Sequence, residues 1–401
     1  MICDAARPFF NTALQERLSR LRVSPGLHAT AASIDPEKIL QKVMVSCLPK
    51  VSRLGHLSEW RQEVGGLLLG LCASAASDDL RYLDAFNNFF EAVEWLPEWR
   101  ADASWREVEA NYALLLRSHL ERTPPAAKTG PTVLADMSSP AASPPPATVL
   151  RRVLILADNA RAAARIYEPV SSLAGMDVHI LVCNNSNRRL PGFYARQLAI
   201  LALAAISRAP QLVKAVWRRQ VHLRGTALHS APVTQWLSAG RFWLGLHAMG
   251  VIYRAAALSA FERGVLNAHI GLLPAYRGRS VMEWSLLAGA PTGITVFVMD
   301  AGIDTGKEIV LREEIAVTGQ TSILRAKRFL FEQDGRLFRQ AIARLLAPDF
   351  IPAANDESGH RYYMMSSLLV GVAEEVLRGQ GHSDPIDQRA EAAGRVGIRR
   401  A

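Results

Sequence analysis

The 401-residue sequence predicts an α/β protein, an open, mostly parallel twisted sheet preceded by a small all-helical N-terminal domain. Three observations predict it. Helical periodicity fills the first 122 residues, a stretch rich in Pro, Ala and Ser follows, and short β-branched runs then alternate with helical segments. With 49% hydrophobic and 21% charged residues, the composition is that of a globular chain, and its length allows two or three domains. The four cysteines, Cys3, Cys47, Cys72 and Cys183, lack the close spacing of a zinc knuckle or redox dithiol, so no disulfide framework is expected. The opening MICDAARPFF places Asp4 and Pro8 ahead of any apolar run, unlike a secretory signal, and a cytoplasmic protein is expected.

A net charge of +9 and a pI near 9.6 raise the question of nucleic acid. The basic residues read as spread along the chain, with local concentrations at Arg151-Arg152, Arg188-Arg189 and Arg218-Arg219 followed by Arg224. Solvated surface is the preferred reading and anionic substrates the second.

In chain order, PEKILQKVMVSCL, EWRQEVGGLLLGLCASAA, DDLRYLDAFNNFFEAVEWL and SWREVEANYALLLRSHLER carry apolar residues at mixed three and four spacings, the pattern of amphipathic helices. Residues 1–122 are therefore expected to form a helical domain of unassigned role, with Phe86 to Trp105 as its core; a protein partner or self-association through this region is the alternative use of those aromatics. Residues 123–148 read as a linker, 149–350 as the catalytic α/β domain, and 351–401 as a C-terminal helical tail with a disordered end. After the linker, VLILA reads as a buried strand, NARAAARIYEPVSSLA as a helix and DVHILVC as a second strand, a βαβ opening that puts the site at the carboxyl ends of the strands. The loop after the first strand, Asp158-Asn159-Ala160-Arg161, has no glycine, which excludes a dinucleotide fingerprint and a phosphate-cradling loop. Residues 193–220 read as one strongly apolar helix with a basic end and an interruption at Pro210. Its apolar run from Leu198 to Ile206 is far short of the ~18–20 residues that span a bilayer. Packing on the sheet or over the active site is preferred there to attachment on anionic lipid.

Polar chemistry concentrates after Gly264. Val265-Leu266 begin a strand whose alternation sets Asn267 and His269 on one side at its carboxyl end, and the later turn AGIDTG presents Asp304. Singly, these are a turn residue, a buried histidine and an Asx-turn former. Together they satisfy the requirements of a proton-transfer site.

Asn267-Ala268-His269, Leu272-Leu273-Pro274, Tyr276-Arg277-Gly278 and Asp300-Ala301-Gly302-Ile303-Asp304-Thr305-Gly306 resemble, at this spacing, the motifs of the folate-dependent formyltransferases. That superfamily includes methionyl-tRNA, glycinamide ribonucleotide and amino-sugar formyltransferases, and the resemblance covers roughly residues 151–345. It implies a sheet of the formyltransferase type, 10-formyltetrahydrofolate as formyl donor, no metal, and Asn267, His269 and Asp304 as catalytic residues. More loosely, it implies a pterin pocket bordered by Leu272, Leu273, Pro274, Tyr253 and Arg254. Two departures stand out: Ile270-Gly271 where the family usually has Pro-Ser, and Thr292 and Phe297 where many members have histidines. The glycine-free first loop disfavours a glycinamide ribonucleotide acceptor. Only about fifty residues follow Asp349, which disfavours initiator tRNA, because the tRNA enzymes carry a C-terminal barrel of about 100. The expected acceptor is a small-molecule primary amine, such as a nucleotide-linked amino sugar or an amino acid precursor. A methionyl-tRNA formyltransferase-like enzyme and a non-catalytic folate-binding scaffold are the alternatives.

Overall fold

The computed structural model describes residues 6–21, 35–74, 79–121, 150–185, 192–207, 211–302, 304–306, 308–355 and 359–380. The expected linker 123–148, the end of the tail, Cys3 and Ile303 lie outside them.

Seven α-helices form the N-terminal region: α1 (Arg7–Arg20), α2 (Pro36–Gln41), α3 (Val51–Leu54), α4 (Ser58–Ser74), α5 (Leu80–Val93), α6 (Pro97–Ala101) and α7 (Ala103–Glu121). Their starts follow from local chemistry. Proline opens α2 and α6, where its missing N–H removes no helical bond, and Asp35 and Asp79 cap α2 and α5 by accepting from Glu37 N and Arg81 N. Helix α5 buries Phe86, Phe89 and Phe90 against Trp99, Trp105 and Tyr112. Trp99 meets Trp105 edge to face at 4.7 Å, and Phe86 stacks on Tyr112 at 5.1 Å, so the Phe- and Trp-rich stretch is the core of this region.

The sheet region runs β1 (Arg151–Ala157), α8 (Ala160–Ser171), β2 (Met176–Cys183), α9 (Phe193–Ser207), α10 (Gln211–Trp217), β3 (Val221–Arg224), α11 (Ala231–Ala239), β4 (Leu244–Ala248), α12 (Ala255–Leu258) and β5 (Val265–His269). It continues with β6 (Tyr276–Gly278), α13 (Val281–Ala288), β7 (Gly293–Val298), β8 (Glu308–Glu314), α14 (Ile323–Phe331), α15 (Asp334–Leu346), β9 (Ala353–Ala354), β10 (His360–Tyr362) and α16 (Ser367–Gln380). The main sheet has the order β3-β2-β1-β4-β5-β7-β8-β9. Its first five strands are mutually parallel, and β7, β8 and β9 join antiparallel, so the sheet is open and mostly parallel. A separate parallel pair joins β10 to β6. Residues 193–220, read from sequence as one helix, contain two, α9 and α10.

Alternation along the strands divides the core. Val153, Ile155 and Leu266 face α8 and α15, whereas Leu154, Leu156 and Val265 face α11 and α12. The first of these clusters does not stop at the sheet. It continues through Leu369, Val372 and Val376 of α16 to Phe10 and Leu14 of α1, so helices and sheet share one hydrophobic interior.

Polar bonds reinforce the junction. The Asp84 carboxylate on α5 is fully buried and accepts from Ser366 N and Ser366 Oγ, while Arg81, 4% exposed, donates to the Arg361 carbonyl at 2.9 Å. Glu91, one helical repeat further on, accepts from Ser367 Oγ at 2.8 Å. Helix α5 thereby grips the strand-to-helix passage from β10 into α16.

Candidate active site

The site is built at the carboxyl end of β5 and on the turns beside it. His269 ends β5, 8% exposed, with Phe297 of β7 edge-on to its ring at 6.5 Å. Its Nε2 lies 3.0 Å from the Tyr276 carbonyl, an acceptor, so this nitrogen carries the proton in the pair. Nδ1 then faces Asp304 Oδ1 at 3.5 Å, longer than a settled hydrogen bond.

Asp304 is held from three sides. Its backbone is left-handed, φ 54°, a conformation that aspartate tolerates better than most residues. Gly278 N donates to Asp304 Oδ2 at 3.1 Å, and Asn355 Nδ2 donates to the carbonyls of Asp304 and Gly306. Asp300 braces the same turn by accepting from Gly302 N and Thr305 Oγ1.

Two glycines permit this arrangement. Gly278 has φ 108°, and a Cβ there would fall 2.1 Å from the Tyr362 carbonyl, so only glycine lets β10 approach β6 while its N–H reaches Asp304. A Cβ at Gly271 would stand 2.7 Å from His269 Nε2 and 2.8 Å from the Tyr276 carbonyl, the two atoms that bond to each other. The departure at Ile270-Gly271 thus leaves room for the histidine contact.

A cavity of about 120 Å³ opens beside these groups, lined by Asn267 and Asp304 at its polar end and by Val251, Ile252, Phe297 and Met299 along an apolar wall. Asn267 shares the β5 face of His269, and its amide makes no hydrogen bond among the described residues. Tyr253 also lines the cavity. Among the residues expected from sequence, the structure therefore brings Asn267, Asp304 and Tyr253 to one cavity with His269 directly behind Asp304. It does not bring Leu272, Leu273, Pro274 or Arg254 there. Leu273 is fully buried with Phe297 and Ile309, its N–H donating to Thr295 Oγ1, and Arg254 is exposed at the start of α12.

The lining also holds a histidine that the sequence alone does not single out. His247, on β4, stands at the next strand mouth, its ring 5.3 Å from that of Tyr253. Burial pushes its imidazole down to about 4, against a smaller opposing pull from Asp158 and Asp304, so it is neutral near pH 7. His247 Nδ1 and Tyr253 Oη are buried without a hydrogen-bond partner among the described residues. Asp158, after β1, accepts from Asn185 Nδ2 at 2.6 Å and Gly250 N at 2.5 Å, tying the mouths of β1, β2 and β4 together. The signal that would have found His247 was the strand-end rule already applied to β5.

Residues 246–342, which hold the whole constellation, match the family described as Formyl transferase. The methionyl-tRNA formyltransferase of Clostridium perfringens is 31% identical over 134 residues, 33% of this chain and 43% of that protein. The methionyl-tRNA formyltransferase of Paramagnetospirillum magneticum is 39% identical over 111 residues, 27% of this chain and 36% of that protein. The chain thus spans less than half the length of these curated relatives. Among solved structures, a 4-N formyltransferase from Francisella tularensis aligns with 17% identity and a TM-score of 0.38, covering 53% of this chain and 76% of that one. A phosphoribosylglycinamide formyltransferase from Bacillus halodurans aligns with 20% identity and a TM-score of 0.36, covering 49% and 96%.

Proposed function

We propose that this chain, whose residues 246–342 match the formyl transferase family, transfers a formyl group from 10-formyltetrahydrofolate to a primary amine. The observation that carries the reading is the convergence of Asn267, His269 and Asp304 on one strand mouth inside that segment, with His269 Nδ1 3.5 Å from Asp304. The cavity suits the donor: its apolar wall of Val251, Ile252, Phe297 and Met299 accepts a flat ring, and its polar end is where a reacting group would sit. The donor supplies a formyl carbon on a nitrogen able to leave.

The chain's own residues do the rest. As the amine nitrogen bonds to the formyl carbon, negative charge gathers on the formyl oxygen, and the unengaged Asn267 amide is already positioned to donate to it. His269, on the same face of β5, is the second donor in this reading. Asp304, held by Gly278 N, accepts, directly or through water, the proton lost by the amine and returns it to the folate nitrogen as that nitrogen's bond to the formyl carbon breaks. The acceptor is a small-molecule amine in this reading. The methionyl-tRNA formyltransferases among the relatives favour a second acceptor, an aminoacylated tRNA.

Isothermal calorimetry on the full chain with 5-formyltetrahydrofolate, a poorly reactive analogue, tests the donor. Saturable binding that Asp304→Ala weakens is expected, and no binding by folded protein would remove the folate reading. Incubation with methionylated initiator tRNA separates the two acceptors.

A further inference from the structure

Helices α9 and α10 invert the usual burial pattern. Phe193, Gln197 and Leu201 form the narrow buried stripe of α9, and its solvent side shows Tyr194, Leu198, Leu203 and Ile206. Helix α10 packs beside it and exposes Val216 and Trp217. Ile206 is 85% exposed and Trp217 84%, values that isolate these side chains from the rest of the protein. Contiguous exposed apolar surface of this kind marks an interaction site.

Charge identifies the partner. From residue 178 to residue 261 the sequence contains no Asp or Glu and ten Arg or Lys, more than the net +9 of the whole chain. The basic residues are thus interspersed with acidic ones elsewhere and segregated from them here. Arg196, Lys214, Arg218 and Arg219 are exposed on or just after the two helices, and none has a carboxylate partner among the described residues.

We propose that the α9–α10 pair docks on an anionic lipid surface, its aliphatic and Trp side chains entering the interface while Lys214, Arg218 and their neighbours contact headgroup phosphates. Apolar side chains beside a cationic rim are the chemistry of an in-plane, peripheral membrane element. No helix among the described residues is long and apolar enough to cross a bilayer, so attachment is at the surface. Nucleic acid would engage the cations but leave Leu198, Leu203 and Ile206 without a role, because single-stranded binders pair basic grooves with stacking aromatics, not aliphatics. A two-fold dimer through this face would set the same cation cluster against itself.

The experiment is co-flotation of the full-length chain with vesicles of phosphatidylcholine alone or mixed with phosphatidylglycerol. Binding is expected to the mixed vesicles only, falling as salt rises. Lys214→Gln and Arg218→Gln should each weaken partitioning about fivefold, and Ile206→Ser with Trp217→Ser should abolish it, all four with unchanged thermal melting. Absence of flotation with mixed vesicles overturns the proposal. So does tRNA binding that Ile206→Ser with Trp217→Ser leaves intact while vesicle binding is absent, or a dimer by sedimentation that the same double variant dissolves.

Discussion

His269 is held between a carbonyl on β6 and a carboxylate after β7, and its geometry depends on atoms that do no chemistry themselves. His269→Ala or Asp304→Asn should lower formyl transfer by ~10²–10⁴-fold with the fold intact by circular dichroism, the range expected when a positioned acid–base group is lost; undiminished turnover in either variant would remove its catalytic assignment. Gly271→Ala introduces a Cβ 2.7 Å from His269 Nε2 and should reduce turnover while leaving 5-formyltetrahydrofolate affinity nearly unchanged; equal losses in both would show that Gly271 shapes the cavity instead. Asn267, His269 and Asp304 were legible in the sequence because strand alternation and a glycine-flanked turn fix where their side chains emerge. Leu272, Leu273 and Pro274 lie away from this cavity; they follow the strand's end, where spacing no longer says which way a side chain points. His247 does not stand out in the sequence because the mouth of β4 joins the site only when β4 is placed beside β5.

At the scale of elements, a continuous chain of contacts runs from the N-terminal helices to His269 and Asp304. Helix α5 holds Arg361, which lies within β10, and Ser366 shortly after it; β10 pairs with β6, and β6 supplies the carbonyl for His269 and the amide for Asp304. Arg81→Ala leaves the Arg361 carbonyl without its donor and should lower turnover about tenfold or more with little change in folate affinity, whereas Arg81→Lys should recover part of it; turnover equal to wild type would show that α5 does not position the site. Asp84 adds a pH dependence. Burial, opposed by the Ser366 hydrogen bonds, pushes its carboxyl up to about 7. With the folded pKa above the unfolded value near 3.9, the native state binds the extra proton, so this group's contribution is full below about pH 4 and is lost as pH rises to about 7. Urea midpoints should therefore favour Asp84→Asn over the wild type increasingly from pH 5 to pH 8, by on the order of a few kcal/mol, and a difference independent of pH would contradict the assignment. Helical periodicity made α4, α5 and α7 readable from sequence. The pairing of β10 with β6 was not, because it joins residues far apart in the chain, and residues 351–401 read as a helical tail.

Across the whole molecule, the Pro-rich stretch suggests separable parts, yet the hydrophobic cluster runs from Phe10 on α1 through Val376 on α16 to Ile155 in the sheet. Scanning calorimetry should accordingly show one cooperative transition, and a first transition confined to helical signal would show that the N-terminal helices melt alone. Composition and alternation were enough to foresee a helical region followed by an open α/β sheet, since both rest on local periodicity. The shared interior was not foreseeable, because which amphipathic faces meet is decided only when the chain folds back. Formyl transfer at the Asn267, His269 and Asp304 mouth is put to the test by incubating the 401-residue chain with 10-formyltetrahydrofolate and pooled primary amines, following tetrahydrofolate release and acceptor mass together. The expected result is stoichiometric release of tetrahydrofolate with one amine gaining a single formyl group, abolished by His269→Ala; folded wild-type protein that releases no tetrahydrofolate above background, with any amine or with methionylated tRNA, would contradict it.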